Sequence, residues 1–326
     1  MFNVNQLLTF FLKIFKETGK TCWILFKIMI PISIVVKVIQ ELGLLPYIGQ
    51  ALAPIMNLVG LPGEAGLIWA TSLVVNIYGG ILTYLSLADS MALSSAQLTV
   101  LLTMVLVAHT FPIELQIARK AGVKLIVMFL IRFGFAILLG FILTQTYSAM
   151  DVLQTKAVAP QIASQQNITL VDWMIHEIEN YATIILFIFG LVFALEILKI
   201  TGIIDLINKM LYPILKVLGI GKEVLPIAVV GLTLGISYGG AIIIKEVNEG
   251  KASRRDVFYA LTLMGLCHSM IEDTMLMFAV GGDLSGILFG RIVFALIISF
   301  LIVKFTKGFS DKKFKRWFLV HDKYHK

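Results

Sequence analysis

Ionisable and helix-breaking residues recur in this chain at one fixed spacing. His109 and His268 lie 159 positions apart, and so do Glu114 and Asp273, Arg132 and Arg291, Glu64 and Glu223, Pro54 and Pro213, and Gly60 and Gly219. The tripeptide Tyr78-Gly79-Gly80 returns as Tyr238-Gly239-Gly240 after one inserted residue. When residues that interrupt helices and residues that carry charge stay in register together, the fold must consist of two copies of one unit.

The copies are built for lipid. Of the 326 residues 58% are apolar and 14% charged, and the mean hydropathy is +0.91, which points to the bilayer as the solvent. Apolar stretches near the length needed to cross about 30 Å of hydrocarbon run roughly over 20–42, 64–88, 96–118, 124–147, 180–200, 224–246, 257–279 and 285–305, with shorter ones near 46–59 and 203–218. Ionisable groups at that depth are costly and line cavities or relays. Paired in register, they predict one site built from both halves.

The net charge of +7 does not point to nucleic acid. Much of it sits in a tail, Lys304, Lys307, Lys312, Lys313, Lys315 and Arg316, interleaved with Phe314, Trp317 and Phe318. Such a segment reads as an anchor on anionic lipid. His321 and His325 in the same tail are read as surface residues. Cys22 and Cys267 both fall in apolar stretches, so no disulfide framework is implied. Residues 1–19 read as an amphipathic lead-in without a small-residue cleavage site.

Loop charges give the expected sidedness. Arg119, Lys120 and Lys124 form a basic loop whose counterpart is Gly281-Gly282-Asp283; Lys245, Lys251, Arg254 and Arg255 form another, whose counterpart near Asp89 has no basic residue. Basic loops face the cytoplasm, so equivalent loops face opposite sides and each half must cross an odd number of times. The fold class expected is an all-α integral membrane protein of the bacterial inner membrane. It has two inverted-topology repeats of about five membrane segments each, with broken helices and both termini cytoplasmic. The units are 20–147 and 179–305, joined by an external linker over 148–178 and followed by a basic cytoplasmic tail, 306–326. Inverted repeats are typical of secondary transporters, with the substrate site near the midplane beside discontinuous helices.

Two constellations are candidates for that site. Ser72, Asn76 and Gly80, and likewise Gly231, Gly235 and Gly239, recur every four residues, a spacing that lets backbones approach closely. The pairs Gly79-Gly80 and Gly239-Gly240 are expected to mark close approach or an unwound turn, flanked by Asn76, Tyr78, Ser237 and Tyr238 as substrate-binding groups. The second constellation is His109 with Glu114 and His268 with Glu272 and Asp273. On a helix His268 and Glu272 share a face, and Pro112 kinks the first copy. These five are read as a proton relay or ion-binding set, since a neutral imidazole near physiological pH can exchange a proton or bind a metal. Cys267 with Met270, Met275 and Met277 raises a soft-metal reading, although Ala108 replaces the cysteine in the first half. Arg132 and Arg291 are expected counter-ions or gates, and Lys37 and Glu196 a cross-repeat ion pair. Gly219-Ile220-Gly221-Lys222-Glu223 lacks the leading glycine and hydroxyl residue of a phosphate-binding loop, so no nucleotide hydrolysis and no cofactor are expected.

On Gly60-Leu61-Pro62-Gly63-Glu64, the Tyr-Gly-Gly triplets and the two His-(Thr/Ser) segments, the chain resembles the nucleoside-recognition or Gate domain family, over roughly 20–145 and 180–305. That family includes spore maturation membrane proteins and the membrane part of ferrous-iron transporter B, and is related to concentrative nucleoside transporters. The resemblance implies two Gate units in one chain. The fused GTPase and Pro-Cys pairs of the iron transporters are absent, which argues against iron. The function expected is transport of a small polar solute or cation, a divalent metal ion or a nucleoside-like solute, coupled to protons. The partners are that substrate and membrane lipid, with a homo-oligomer compatible. An intramembrane enzyme acting on lipid-linked substrates through His and Glu, or a non-transporting assembly partner, are the alternatives.

Overall fold

The computed structural model describes residues 4–157 and 170–320. His321, His325 and residues 158–169 of the linker lie outside the described residues, as do the side chains of Ser237 and Tyr238. Among the described residues the chain is helical, with two isolated bridges, Ser94 to Lys156 and Val123 to Leu319, and no strand.

The helices come in two matching series. The first is α1 (Val4–Glu41), α2 (Leu45–Leu58), α3 (Ala65–Val74), α4 (Ile77–Met91), α5 (Ser95–Val107), α6 (Phe111–Lys120) and α7 (Leu125–Ala149). The second is α8 (Leu170–Ile200), α9 (Ile203–Val217), α10 (Leu225–Leu234), α11 (Ile236–Asn248), α12 (Arg254–Leu266), α13 (Glu272–Ala279), and a π-helical turn, Ser285–Gly290, that runs into α14 (Arg291–Lys307). A short α15 (Asp311–Phe318) follows. The interruptions repeat as well: Gly43 and Gly202, Gly60 and Gly219, Thr110 and Ser269, and Gly122 and Gly281 all have positive φ.

The core is centred on α5 and α12. Every residue of α5 from Leu98 to Val107 and of α12 from Val257 to Leu266 is buried. Neither helix has an amphipathic stripe, which is what a helix surrounded by others requires. A capping box between Ser94 and Gln97 starts α5.

The apolar stretches 64–88 and 224–246 do not form single helices. In a straight helix residues eight apart are separated by about 12 Å. A side chain placed on Gly239 would instead sit 2.7 Å from Gly231 Cα, and one on Gly80 would sit 3.2 Å from the Ile68 carbonyl and strike the Ser72 hydroxyl. Each pair, α3–α4 and α10–α11, therefore folds back on itself as a helical hairpin. The turns lie at Val75-Asn76 and at Gly235, before the glycine pairs rather than at them. Asn76 is extended and its side chain accepts from Gly79 N–H at 2.8 Å, capping α4, whereas Gly235 turns at φ +103°, a region open to glycine. Gly79, Gly80, Gly239 and Gly240 lie in the first turns of intact helices, so the close-approach expectation fits and the unwound-turn one does not.

Among the described residues three helices are long and apolar enough to cross a membrane, Ser95–Lys120 taken through its break, Leu125–Ala149 and Ser285–Lys307; a fourth arises if Ile30–Glu41 and Leu45–Leu58, bent by 103°, count as one. The basic tail is not free: Phe314 is buried against Phe258, Tyr259 and Phe318, Arg255 lies over its ring and bonds Asp311, and Lys124 N–H and Val320 N–H pair with the Phe318 and Gly122 carbonyls. The expected Lys37–Glu196 pair does not form. Lys37 bonds Glu41 one turn away at 2.7 Å and Glu196 bonds Lys13 at 2.5 Å. The proximity of Lys37 to Glu41 along one helix face decides this locally.

Candidate functional site

The two histidines meet. His109 Nε2 and His268 Nε2 are 3.3 Å apart, with both rings buried. Each follows the last turn of α5 or α12, whose C-terminal ten residues are all buried. Each Nδ1 lies 2.8 Å from the carbonyl four residues back, Val105 for the first and Met264 for the second. A carbonyl can only accept, so both Nδ1 atoms carry the proton, and in its neutral form each ring turns a bare Nε2 lone pair to the centre.

The chain breaks directly after each histidine. Thr110 and Ser269 sit at φ +51° and +46°, a left-handed conformation that is uncommon for any residue but glycine, most of all for the β-branched Thr110, and that costs about 1–3 kcal/mol. Contacts to the hairpins hold the breaks. Thr110 N–H donates to the Ser72 carbonyl and Met270 N–H to the Leu232 carbonyl, both at 2.8 Å. The chain then re-enters helix with Glu114 in the first turn of α6 and Glu272 and Asp273 in that of α13, where a helix N-terminus favours negative charge.

Glu114 serves both rings. Its Oε1 is 3.4 Å from His109 Nε2 and 3.3 Å from His268 Nε2, while Oε2 pairs with Arg132 Nη1. Arg132 is 1% exposed, donates through Nε to the Val107 carbonyl at 3.1 Å and lies over the Phe111 ring. The second half is built differently. Asp273, one methylene shorter, does not reach Arg291 at ion-pair distance among the described residues; Arg291 donates to Thr274 Oγ1 at 3.1 Å. Asp273 still approaches the centre: one atom from each of His109, His268 and Asp273 falls within 4.8 Å of the others. Glu272 turns away to hydrogen-bond Tyr78. Because the helix is interrupted after His268, the expected shared face of His268 and Glu272 does not exist, and the adjacent Asp273 takes that place.

A cavity of about 460 Å³ reaches Glu272 and Ile271 between α1, α8 and α10, with Glu17, Lys20, Glu196 and Lys199 on its walls. Polar groups thus extend from the buried junction to an opening.

Comparison with known proteins supplies the family. The Gate domain, described as nucleoside recognition, matches residues 22–124 and 181–284, about two thirds of the chain and both series of helices. The chain belongs to the Gate family. It is also 25% identical over 286 residues to an uncharacterized membrane protein, YvoD, of Bacillus subtilis (strain 168), covering 87% of this chain and 90% of that one. No solved structure matches. Each Gate segment contains one histidine, the break after it and the following acidic residue. Arg132 and Arg291, which lie on the next helices, fall outside both segments. The Gate chain is therefore a membrane protein whose matched segments converge on a buried His, His and carboxylate junction. Residue types alone did not reveal the main-chain partners at Val105, Met264, Ser72 and Leu232, because a carbonyl acceptor leaves no mark on side-chain identity.

Proposed function

We propose that this protein is a secondary transporter whose substrate site is the junction of His109, His268, Glu114 and Asp273, between two repeats of inverted topology. The observation that carries the reading is the 3.3 Å meeting of two histidines from different halves, each at the C-terminus of a helix that breaks there. Broken helices whose ends converge on a buried polar point are how transporters present main-chain dipoles to a substrate. A structural bundle has no use for two strained breaks and a buried carboxylate at one point.

In this reading each half crosses three times, through α1, α5–α6 and α7 or through α8, α12–α13 and α14. The hairpins α3–α4 and α10–α11 enter and leave on one side, their helices being shorter than the roughly 20 residues a span needs. Three is still odd. The basic loops at Arg119–Lys124 and Lys245–Arg255, both termini and the docked tail then share the cytoplasmic side, with the linker opposite. The antiparallel contacts of α1 with α8, Lys13 near Glu196 and Ser33 near Tyr181, support that inversion, and the 460 Å³ cavity opens toward the cytoplasm.

Tags inserted at Lys251 and Gln165 test the topology: the first is expected to be shielded in intact cells and the second accessible. Tags reporting one common side remove the inversion. Function is tested with purified protein in vesicles against a panel of divalent cations, nucleosides and a proton-sensitive dye. Flux above protein-free vesicles is expected for at least one member and should fall in His109→Ala. No flux for any member, from protein shown to be folded and inserted, overturns transport.

A further inference from the structure

We propose that the junction binds one divalent first-row transition-metal ion through His109 Nε2, His268 Nε2 and Glu114 Oε1, with Asp273 as the fourth ligand. This rests on the transporter reading above and names the substrate class of that site. The first argument is what the geometry lacks. With both Nδ1 protons committed to carbonyls, two imidazole lone pairs and a carboxylate oxygen face one another at 3.3, 3.3 and 3.4 Å. With both rings neutral these are three acceptors without a donor, which repel, and a cation at their centre reverses the sign of all three interactions.

The second argument is size. Ligands around a tetrahedral ion at about 2.0–2.1 Å stand about 3.3–3.4 Å from each other. The triangle here matches one face of that tetrahedron. It has room for a single ion and none for a purine or pyrimidine ring. Asp273 is within 4.8 Å of both rings, so a side-chain adjustment brings it to the remaining corner, or leaves that corner for water.

The third is the surrounding shell. Metal-binding histidines donate their other ring nitrogen to a carbonyl or carboxylate, which fixes tautomer and orientation, and ligating carboxylates are themselves hydrogen-bonded. Both rings have that carbonyl, and Glu114 has Arg132 on its second oxygen. Two imidazoles with carboxylates suit zinc and its neighbours, whereas magnesium and calcium take sets made of oxygen. The buried ends of α5 and α12 add negative dipole ends beside the ion.

The test is titration of metal-stripped, detergent-purified full-length protein, prepared without a histidine tag, with cobalt(II). The expected result is one cobalt per chain, with the visible absorption of a four- or five-coordinate site, displaced by zinc. His109→Gln and His268→Gln should each weaken binding at least about tenfold, while replacing His321 and His325 with alanine leaves the stoichiometry unchanged. Should the glutamine variants not fold, His109→Cys decides: it keeps a ligand and should add a sulfur-to-cobalt charge-transfer band in the near ultraviolet. No stoichiometric cobalt, binding that survives loss of both rings, or a cysteine variant that binds without the new band overturns the metal site. The two readings separate cleanly. Cobalt bound without any flux in vesicles retains the site and ends transport, whereas nucleoside flux without bound cobalt retains transport and ends the metal.

Discussion

Arg132→Met is expected to lower stability by about 3–5 kcal/mol, because it leaves the Glu114 carboxylate buried without its cation. Arg132 and Glu114 are 1% and 6% exposed and no other cation lies at ion-pair distance of Glu114 among the described residues unless a histidine is protonated. The same change also strips the Val107 carbonyl, at the C-terminal end of α5, of its donor. The measurement is thermal unfolding in one detergent, followed by aggregation and by helical signal. Adding Glu114→Gln to Arg132→Met should restore part of the loss, since the two residues act as one unit and their effects do not add. Arg291→Met is the internal comparison. It removes a bond to Thr274 and no carboxylate pair, so it should cost less than Arg132→Met. Equal losses at the two arginines would show that the ion pair does not organise the junction.

Gly239→Ala is expected to destabilise by about 1–3 kcal/mol, the range for forcing atoms into a packed interior. A methyl there meets Gly231 Cα at 2.7 Å and Gly231 N at 3.1 Å. Those are main-chain atoms that cannot swing aside, so the α10–α11 hairpin has to open. The loss should reach the site as well, because Leu232 of that hairpin accepts from Met270, next to the break after His268. Gly134→Ala in α7 and Gly190→Ala in α8 are the controls. Nothing lies within 4 Å of either new methyl, and in a helix the alanine is favoured by about 0.5–1 kcal/mol. A thermal midpoint for Gly239→Ala equal to that of the controls would mean that the hairpin is not closely packed.

What could be read from residue identities was whatever the duplication marks twice. The histidines, the acidic residue five positions after each and the arginine 23 positions after each were visible as pairs in register, and all of them but Arg291 come together at the junction. The glycine pairs were visible too, but their meaning was not. A double glycine signals either a close approach or a loosened turn, and the choice depends on what packs opposite. Here that is Ser72 and Gly231, eight residues earlier on the first arm of each hairpin. The places where the helices do end are marked by Asn76 in one half and Gly235 in the other; both stood in the four-residue stripes read for close packing, and two different solutions to the same turn gave no common sign that a helix ends there. The left-handed residues Thr110 and Ser269 were hidden for a related reason. Neither residue type favours that backbone locally, and the tertiary bonds from Thr110 to Ser72 and from Met270 to Leu232 help to hold it. Lys37 and Glu196 carried the opposite lesson: matching positions with opposite charges need not meet, when each has a nearer partner.

The bonds from Nδ1 of His109 and His268 to the main chain of their own helices turn the two rings into the jaws of a caliper. Neither ring can rotate without giving up its carbonyl, so the gap between the two Nε2 atoms follows the spacing of the α5 and α12 ends directly. Coordination bonds tolerate only about 0.2 Å of error. A metal ion held as proposed would therefore sense a relative slide of the two halves far smaller than a domain rotation, with neither imidazole changing its rotamer.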